Sequence, residues 1–458
     1  MPGFGPDARH DSQGSPLDVR RGSRVELDIV DLAYGGSAVA RLQGLVVLVD
    51  RALPGERVLA EITHRSKRFA RARILQILKA SRDRTEPACR HFSECGGCAY
   101  QMLDYQAQLV AKRQQVKDLL ERVAKIPSPN VLPAWPSPQS VQYRRRMSYA
   151  AREDEEGGIG LHHHTIKMSV LEVPHCELPL ETLQRAYRRI LEDLRSLPHG
   201  SRPRRVELQA GAASRGPVAV LQGRGFPSRE LRKMAGAWIL PEGFLQGVAW
   251  MREESRFGPR ERGPTLLVAG DSEIEEILSS FRLRFPAGVF FQANPPLAGK
   301  VFEAIAERCG AGEILELYAG VGALTLHLAR GGRNVVAVEG SAEAARAARD
   351  NLLRNGAGPV EIVTRDVGEA LEEWTRASRQ FETVVLDPPR SGLPKGAAVH
   401  LSALSRSRIL YLSCDPGTMA RDLRAILESG SWRLGEVLPV DFFPHTAEIE
   451  CLADLVPA

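Results

Sequence analysis

The chain has 458 residues, of which 43% are hydrophobic and 26% are charged, so it is long enough for several domains and apolar enough to bury sizeable cores. No apolar run approaches the roughly 20 residues of a membrane-spanning helix, and the polar, Gly- and Pro-rich N-terminus lacks the apolar core of a signal peptide. These features exclude a membrane-embedded protein and predict a cytoplasmic one, with a disordered lead over residues 1–20.

The net charge of +5 is unevenly spread along the chain. Residues 1–150 carry 24 Lys and Arg against 15 Asp and Glu, whereas the remaining residues carry 37 against 41. Between Thr63 and Lys79 there are six basic residues and no acidic one. A basic front favours a polyanionic partner such as RNA, although a solvated basic surface explains the same pattern.

The first part of the chain predicts a small β-barrel followed by a mixed domain. Val25, Leu27 and Ile29 alternate with polar residues, and "YGGSA" and "LPGE" are turn sequences, which together predict an OB-like barrel over residues 21–82. Apolar residues at helical spacing predict a helix over 101–125. We expect a central α+β domain over residues 83–285.

From residue 286 onward, apolar runs alternate with helical segments. The runs "EILELYAG", "NVVAVEG", "VEIVTRD", "ETVVLDPP" and "RILYLSC" each end in a Gly, an acid, a Pro or a Cys. This alternation predicts a parallel sheet covered by helices, a Rossmann-like α/β domain over residues 286–458. Two further strands, near 435–442 and 448–456, are expected to form a hairpin.

Two strand ends of this α/β domain predict a nucleoside-containing cofactor. Gly320 and Gly322 follow the first strand and allow a tight turn, and Glu339 ends the second strand, where a carboxylate can accept the hydroxyl groups of a ribose. NAD(P) and S-adenosylmethionine both fit this pattern, but Thr325 stands where the NAD fingerprint requires a third glycine. Asp387, in "LDPPRSG", could be a helix N-cap, yet the motif resembles that of class I methyltransferases, which favours S-adenosylmethionine.

A cysteine at the end of the fifth strand suggests the reaction. A lone cysteine is usually structural, but Cys414 is predicted to face the same cleft as Asp387. A thiolate that adds to carbon 6 of uracil makes carbon 5 nucleophilic towards a methyl group, and a base must then remove the proton from carbon 5. Glu450 lies in an otherwise apolar strand and is the candidate base, although simple alternation would point it to solvent beside Glu448.

Together, "FFQAN", "LYAGVG", "VVLDPPRSGL", "LYLSCDPGTMARDL" and "HTAEIE" resemble the successive motifs of the RNA uracil-5 methyltransferase family, which methylates uridine in ribosomal or transfer RNA. The resemblance implies that Cys414 is the nucleophile and Glu450 the base. It also implies cofactor contacts from Gln292, Tyr318, Gly320, Glu339 and Asp387. Some members of the family have Asn where this chain has Ala323, so one polar contact with the cofactor is expected to be missing. The barrel is similar to the TRAM domain, an RNA-binding module.

Three cysteines, Cys89, Cys95 and Cys98, follow the barrel with the spacing C-x5-C-x2-C. They predict a metal site with Cys176 as the fourth ligand, and the spacing alone leaves zinc and an iron–sulfur cluster equally open. One branch of the resembling family has a [4Fe-4S] cluster on this spacing, so the resemblance implies such a cluster here.

These observations predict an S-adenosylmethionine-dependent enzyme that forms 5-methyluridine in RNA, with 23S ribosomal RNA as the expected target and transfer RNA as the alternative. Two other hypotheses remain at this point. A non-catalytic RNA-binding or ribosome-assembly factor could use the same folds, and an amino-methyltransferase could use the "DPP" motif, which would leave Cys414 without a role.

Overall fold

The computed structural model describes residues 19–153, 159–164, 170–253 and 265–458, so the predicted disordered lead lies almost entirely outside the described residues. The chain forms two compact units, one up to Thr85 and one from Glu86 onward. No helix within these described ranges is both long and apolar enough to cross a membrane.

The first unit is a closed five-stranded barrel, as the alternating pattern predicts. Val25, Leu27 and Ile29 are buried, and their polar neighbours face outward. The strands are β1 (Arg24–Leu32), β2 (Ser37–Leu42), β3 (Leu45–Asp50), β4 (Arg57–Arg65) and β5 (Phe69–Lys79). Around the barrel they follow the order β1-β2-β3-β5-β4, in which only β3 and β5 are parallel neighbours.

The basic residues of the barrel lie mostly on its surface. Arg65, Lys67, Arg68 and Arg71 are exposed on β4, β5 and the turn that joins them. Arg73 is also exposed, and its guanidinium pairs with Glu61 at 2.9 Å. The barrel therefore presents a positively charged strip to solvent.

The second unit begins with the cysteine-rich segment and a helix. This helix is α1 (Tyr105–Arg122), and Asp104 is its N-cap residue. The Asp104 Oδ1 accepts a hydrogen bond from Gln106 N at 2.9 Å and so caps the first turn. The predicted helix over 101–125 is thus confirmed with shorter bounds.

A mixed seven-stranded sheet and its helices follow. In chain order the elements are β6 (Arg146–Glu153), β7 (Ile159–His164), β8 (Val170–Glu172), α2 (Glu181–Arg195), a 3-10 turn (His199–Ser201), β9 (Arg205–Gln209), β10 (Val218–Gly223), α3 (Arg229–Ala237), β11 (Gly247–Arg252) and β12 (Thr265–Gly270). The strands are ordered β12-β11-β10-β9-β6-β7-β8 in the sheet, and one face of the sheet packs against α2 and α3 in one core.

A hairpin leads from this sheet into the α/β region. Its strands are β13 (Glu273–Leu278) and β14 (Phe281–Pro286), and Ile274 and Leu278 are buried in the core of the α/β region. The elements that follow are α4 (Pro295–Arg308), β15 (Ile314–Leu317), α5 (Ala323–Leu328), a 3-10 turn (Arg330–Gly332), β16 (Val335–Glu339), α6 (Ala342–Arg354), β17 (Val360–Thr364), α7 (Val367–Arg376), β18 (Phe381–Leu386), α8 (Ala397–Leu404), β19 (Ser405–Ser413), α9 (Pro416–Leu427), β20 (Trp432–Val440) and β21 (Glu450–Pro457).

These strands form a second seven-stranded sheet, ordered β17-β16-β15-β18-β19-β21-β20. The strands β15 to β19 are parallel. From β15 to β17 the chain adds strands on one side of β15, and from β18 to β19 it adds them on the other side. The topological switch point, where ligands bind in open α/β sheets, therefore lies between β15 and β18. Because right-handed crossovers place α5 and α6 on one face and α7 to α9 on the other, the sheet is covered on both sides. The predicted parallel sheet is confirmed.

The final two strands do pair as a hairpin, but β21 lies inside the sheet. It runs antiparallel between β19 and β20, so it pairs with both. Periodicity in the sequence predicts the two strands but not this insertion, because the insertion depends on pairing with β19 far earlier in the chain.

Candidate active site and four-cysteine site

The loop after β15 has the backbone of a ligand-binding turn. Tyr318 has φ 65°, a conformation that costs a non-glycine residue energy and that is often found at functional sites. Gly320 and Gly322 also have positive φ. At Gly322 a Cβ would lie 3.1 Å from Cβ of Ala348 on α6, so glycine lets the loop approach this helix closely.

Glu339 closes this loop from the neighbouring strand end. Its Oε2 accepts a hydrogen bond from Gly320 N at 2.8 Å, and its Oε1 accepts one from Ser341 N at 2.7 Å. Both oxygens are thereby fixed in position, and each retains a lone pair with which it can accept a hydrogen bond from a ligand hydroxyl.

Asp387 and Gln292 meet beside this loop, although 95 positions separate them in the sequence. Gln292 Nε2 donates to Asp387 Oδ2 at 3.3 Å. Burial deprives the carboxyl group of hydration and raises the pKa of Asp387 to about 7. A cationic ligand placed here would favour the ionised carboxylate.

Cys414 and Glu450 are brought together by strand register. Ser413 at the end of β19 pairs with Cys451 on the antiparallel β21, so the residues that follow and precede them, Cys414 and Glu450, are neighbours. Glu450 is only 2% exposed, and its Oε1 is buried without a hydrogen-bond partner among the described residues. The alternative that Glu450 points to solvent is therefore wrong.

Glu448 behaves differently from Glu450. Its side chain is partly exposed, and its Oε1 pairs with Arg390 Nη2 at 2.6 Å. The two glutamates thus differ in surroundings, and only Glu450 is buried next to the thiol.

The charges around the thiol favour its neutral form in this structure. Burial, with the nearby Glu450 and Asp387 carboxylates, raises the pKa of Cys414 to about 12, and Arg390 partly opposes this. The pKa of Glu450 is likewise well above its usual range, because the side chain is buried and lies close to Asp387. Two carboxyl groups and a thiol therefore lie close together in a largely buried site, which disfavours ionising all three without a compensating cation.

The four predicted metal ligands line one cavity of about 320 Å³. Cys176, from the loop between β8 and α2, joins Cys89, Cys95 and Cys98 there. Burial is the main reason that the pKa of Cys98 rises to about 12 and that of Cys176 to about 11, and neighbouring thiols add to both shifts. The other lining residues are Phe92, Gly97, Gln101, Arg144, Arg146, Met147, Ser148, Val173 and Leu178.

Two glutamines hold the cysteine backbone in place. Gln101 accepts a hydrogen bond from Cys89 N at 3.1 Å and donates to Cys98 Sγ at 3.3 Å. Gln184, buried on α2, accepts a hydrogen bond from Cys176 N at 3.0 Å. In the parts of the chain that the structure describes, no group of three His, Cys, Asp or Glu side chains is arranged to hold a metal ion.

Comparisons with known proteins agree with this architecture. The family model described as tRNA (Uracil-5-)-methyltransferase matches residues 271–455, and the TRAM domain model matches residues 18–75. An uncharacterized RNA methyltransferase of Nitratidesulfovibrio vulgaris is 32% identical over 454 residues, which cover 94% of this chain and 95% of the relative. The chain belongs to the RNA uracil-5 methyltransferase family. It is an S-adenosylmethionine-dependent RNA methyltransferase.

Two further matches extend over nearly the whole chain. An uncharacterized RNA methyltransferase of Halalkalibacterium halodurans is 29% identical, and the match covers 95% of this chain and 98% of the relative. The crystal structure of Pyrococcus abyssi tRNA (uracil-54, C5)-methyltransferase in complex with S-adenosyl-L-homocysteine has a TM-score of 0.71 at 22% identity. The match covers 94% of this chain and 99% of the Pyrococcus abyssi chain, so the two proteins share a fold.

Sequence reasoning missed two residues of the methyltransferase site, and one exposed aromatic residue that is close to Gln292 in the chain. Glu316, inside β15, is buried, and burial raises its pKa to about 8. Arg390 is the cation near Cys414. Phe290, two positions before Gln292 in the chain, is 64% exposed. A signal for Glu316 was present, because an acid inside the apolar run "EILEL" is unusual.

Proposed function

We propose that this methyltransferase forms 5-methyluridine in RNA, with Cys414 as the nucleophile and Glu450 as the general base. The observation that carries the proposal is the strand register that places Cys414 next to Glu450, with Asp387 close to both. An amino-methyltransferase would need neither a thiol nor a second buried carboxyl group beside the donor site. A non-catalytic binding factor would have no use for the three groups in one buried cluster.

The side chains divide the chemistry between them. S-adenosylmethionine, when it is bound, supplies an electrophilic methyl group and retains the electron pair of the sulfur–methyl bond that breaks. Cys414 Sγ forms a bond to carbon 6 of uracil, and the electron pair of the carbon 5–carbon 6 double bond shifts so that carbon 5 takes up the methyl group. Glu450 then removes the proton from carbon 5, the double bond re-forms, and the bond between carbon 6 and Sγ breaks to release the thiolate.

The charges at the site suggest when the thiol becomes reactive. The pKa of Cys414, about 12, keeps the thiol protonated while Asp387 and Glu450 are its nearest charged neighbours. A cationic donor beside Asp387 would offset the carboxylates, and Arg390 already lowers the pKa of the thiol. We therefore infer that donor binding prepares the thiol for attack.

The target uridine must leave its base stack to reach Cys414, because a stacked base hides carbon 6. Phe290 is a candidate platform for the extruded base or its neighbour. Its ring is exposed, and it lies two residues before Gln292, which hydrogen-bonds to Asp387. Stacking on an aromatic side chain contributes about 1–3 kcal/mol per base.

For the RNA itself we propose a uridine of 23S ribosomal RNA, with transfer RNA as the second candidate. The family resemblance supports ribosomal RNA, because most relatives with this cysteine pattern act on it. The name of the matching family model, tRNA (Uracil-5-)-methyltransferase, supports transfer RNA. In either case the exposed basic residues of the barrel would contact phosphates, and the reaction would take place in the cytoplasm.

We further propose that the four cysteines hold a [4Fe-4S] cluster with a structural role. The resemblance to the branch of the family that has a cluster on the C-x5-C-x2-C spacing supports this proposal. All four cysteines also line one cavity of about 320 Å³.

The test is methyl transfer from labelled S-adenosylmethionine to unmodified 23S ribosomal RNA and, separately, to unmodified transfer RNA. The protein would be purified anaerobically, the product nucleoside identified, and Cys414→Ala run in parallel. We expect 5-methyluridine in one RNA, and at least a ~1,000-fold loss of rate in the variant, because no other thiol can add to carbon 6.

Three outcomes separate the hypotheses. Transfer of labelled methyl groups at an unchanged rate in Cys414→Ala, with no 5-methyluridine in the product, would point to methylation of an amino group. Absence of 5-methyluridine from both RNAs, with protein that contains its full complement of iron, would contradict the catalytic assignment. Product in transfer RNA alone would keep the chemistry and correct the substrate.

A further inference from the structure

The segment that leads into the candidate base is held by a distant part of the same unit. Residues 441–446, here called the 441–446 loop, form the first part of the connection from β20 to β21, and Glu450 is the first residue of β21. His445 in this loop has φ 68°, which is unfavourable for a residue with a side chain. Such a conformation persists only where contacts maintain it, so the contacts of the loop are informative.

Gln108, fully buried on α1, is the first of these contacts. Its Oε1 accepts a hydrogen bond from His445 N at 3.0 Å, and its Nε2 lies 3.1 Å from His445 Nδ1. The same Nε2 donates to Tyr100 O at 3.0 Å and Leu103 O at 2.8 Å. One amide thus ties the backbone at His445 to the segment that precedes α1.

Lys112, one turn further along α1, makes the second contact with the 441–446 loop. Its Nζ donates to Asp441 Oδ1 at 2.6 Å and to Phe443 O at 3.1 Å. The Lys112 and Asp441 side chains are 1% and 0% exposed. Removing one partner of such a buried ion pair leaves an uncompensated charge, so the contact strongly favours one position of the loop.

Backbone hydrogen bonds complete the attachment. Ala99 N and Tyr100 N both donate to His445 O at 2.9 Å, and Tyr143 OH donates to Pro444 O at 3.2 Å. The loop is therefore fixed at both of its ends and along its length, four residues before Glu450.

We propose that Gln108 and Lys112 are positioning residues for Glu450, because they fix the 441–446 loop and so aim the base at carbon 5 of the uracil. This inference rests on the proposed function, in which Glu450 removes the carbon 5 proton. Neither residue touches the reacting atoms. Their loss would affect the step that Glu450 performs more than the addition of the Cys414 thiol to carbon 6, because Cys414 directly follows a different strand, β19.

The step in question has a measurable intermediate. After methyl transfer, carbon 5 carries both the methyl group and a proton, and carbon 6 is bonded to Cys414 Sγ. If the base is displaced, the proton stays on carbon 5, the double bond cannot re-form, and the enzyme remains covalently attached to its RNA.

The experiment compares full-length wild type with Gln108→Ala, Lys112→Met and Glu450→Gln, using the RNA that the wild type methylates. The measurements are the fraction of labelled RNA that stays attached to denatured protein on a gel, the rate of 5-methyluridine release in a single turnover, and the dissociation constant for S-adenosylmethionine. Gln114→Ala is the matched control, since Gln114 is an exposed glutamine on α1.

We expect Gln108→Ala and Lys112→Met to accumulate the adduct and to release product at least tenfold more slowly, with cofactor affinity within twofold of wild type. Gln114→Ala should behave as wild type. Release at the normal rate in both α1 variants, while Glu450→Gln traps the adduct, would overturn the inference but not the proposed function. If the α1 variants lost adduct formation, product release and cofactor affinity to the same extent, the result would indicate general unfolding and would also overturn the inference. Absence of adduct and product in the wild type would contradict the proposed function itself.

Discussion

The unit from Glu86 onward contains two partly buried thiol sites in different chemical surroundings. Each has a nearby arginine, Arg390 beside Cys414 and Arg144 beside Cys98, but the other charged neighbours are carboxylates around Cys414 and thiols around Cys98. In both places burial is the main reason that the thiol pKa is raised to about 12. The two sites differ in what could lower the thiol pKa again. At Cys414 a cationic donor could do so whenever it is bound, whereas only a resident metal centre would keep four adjacent cysteines ionised.

The supports of the two sites differ as well. Gln101 and Gln184 hold the four-cysteine site through hydrogen bonds to cysteine backbone and sulfur atoms. Asp422 on α9 supports the active site indirectly, because its Oδ2 accepts hydrogen bonds from Leu393 N and Tyr411 OH, both at 2.8 Å. The loop after Asp387 is thereby anchored to α9. The comparison predicts that each site depends on its own supports and charges, which three experiments test one site at a time.

The largest effect is expected from Cys176→Ser. Loss of one of four ligands should remove most of the iron and lower the free energy of unfolding by at least ~3 kcal/mol, because a structural metal centre contributes directly to folding. Iron analysis and chemical denaturation would measure this. Cys309→Ser is the control, since the Cys309 thiol lies at the end of α4 and donates to Ile305 O. Full iron content in Cys176→Ser would remove Cys176 from the ligand set and end the comparison.

A smaller effect is expected in the anchored loop after Asp387. At Gly392 a Cβ would lie 2.5 Å from both Arg421 Nη2 and Asp422 Oδ2, so Gly392→Ala should lower the free energy of unfolding by about 2–3 kcal/mol and weaken cofactor binding. Gly396 also has positive φ but has no atom within 4 Å of such a Cβ. Gly396→Ala should therefore cost only ~1 kcal/mol. Equal losses in the two variants would mean that the anchor on α9 contributes nothing.

The smallest effect is a pH dependence of cofactor affinity. Because the pKa of Asp387 is about 7, the carboxyl group is protonated below neutral pH, and binding of a sulfonium cation must displace that proton. Affinity for S-adenosylmethionine should therefore fall about tenfold from pH 8 to pH 6, with proton release measurable by calorimetry in two buffers. Asp387→Asn should flatten the dependence, while Asp350→Asn, an exposed carboxylate on α6, should not. A flat profile in the wild type would show that the carboxyl group is ionised throughout this range.

Much of this organisation was predictable because it depends on local sequence. Alternation predicted the barrel, strand ends predicted the positions of Glu339, Asp387 and Cys414, and an acid in an apolar strand indicated Glu450. Cys176 was the predicted fourth ligand because Cys309 was expected at a helix end and Cys451 in the last strand, and the structure places Cys176 at the same cavity as the other three cysteines. Its role as a ligand stays a prediction.

What sequence could not give depends on long-range pairing. The contact between Lys112 and Asp441 joins residues 329 positions apart, and neither residue has a local signal for it. Likewise, the neighbouring positions of Cys414 and Glu450 follow from the insertion of β21, which no periodicity encodes. Phe290 was missed because an exposed phenylalanine is indistinguishable from a buried one in the run "VFFQ".

The insertion of β21 also has a consequence for how the unit folds. Until residues 450–457 are in place, β20 has no strand to pair with in the sheet and β19 presents an open edge. Assembly of this half of the sheet therefore has to wait for a strand that follows both of its neighbours in the chain, which raises the contact order and slows folding. During that interval Cys414, the proposed nucleophile, has no Glu450 beside it. The proposed catalytic pair is complete only once β21 has paired with β19, so a partly folded molecule would lack the carboxyl group to which we assign release of RNA from the thiol.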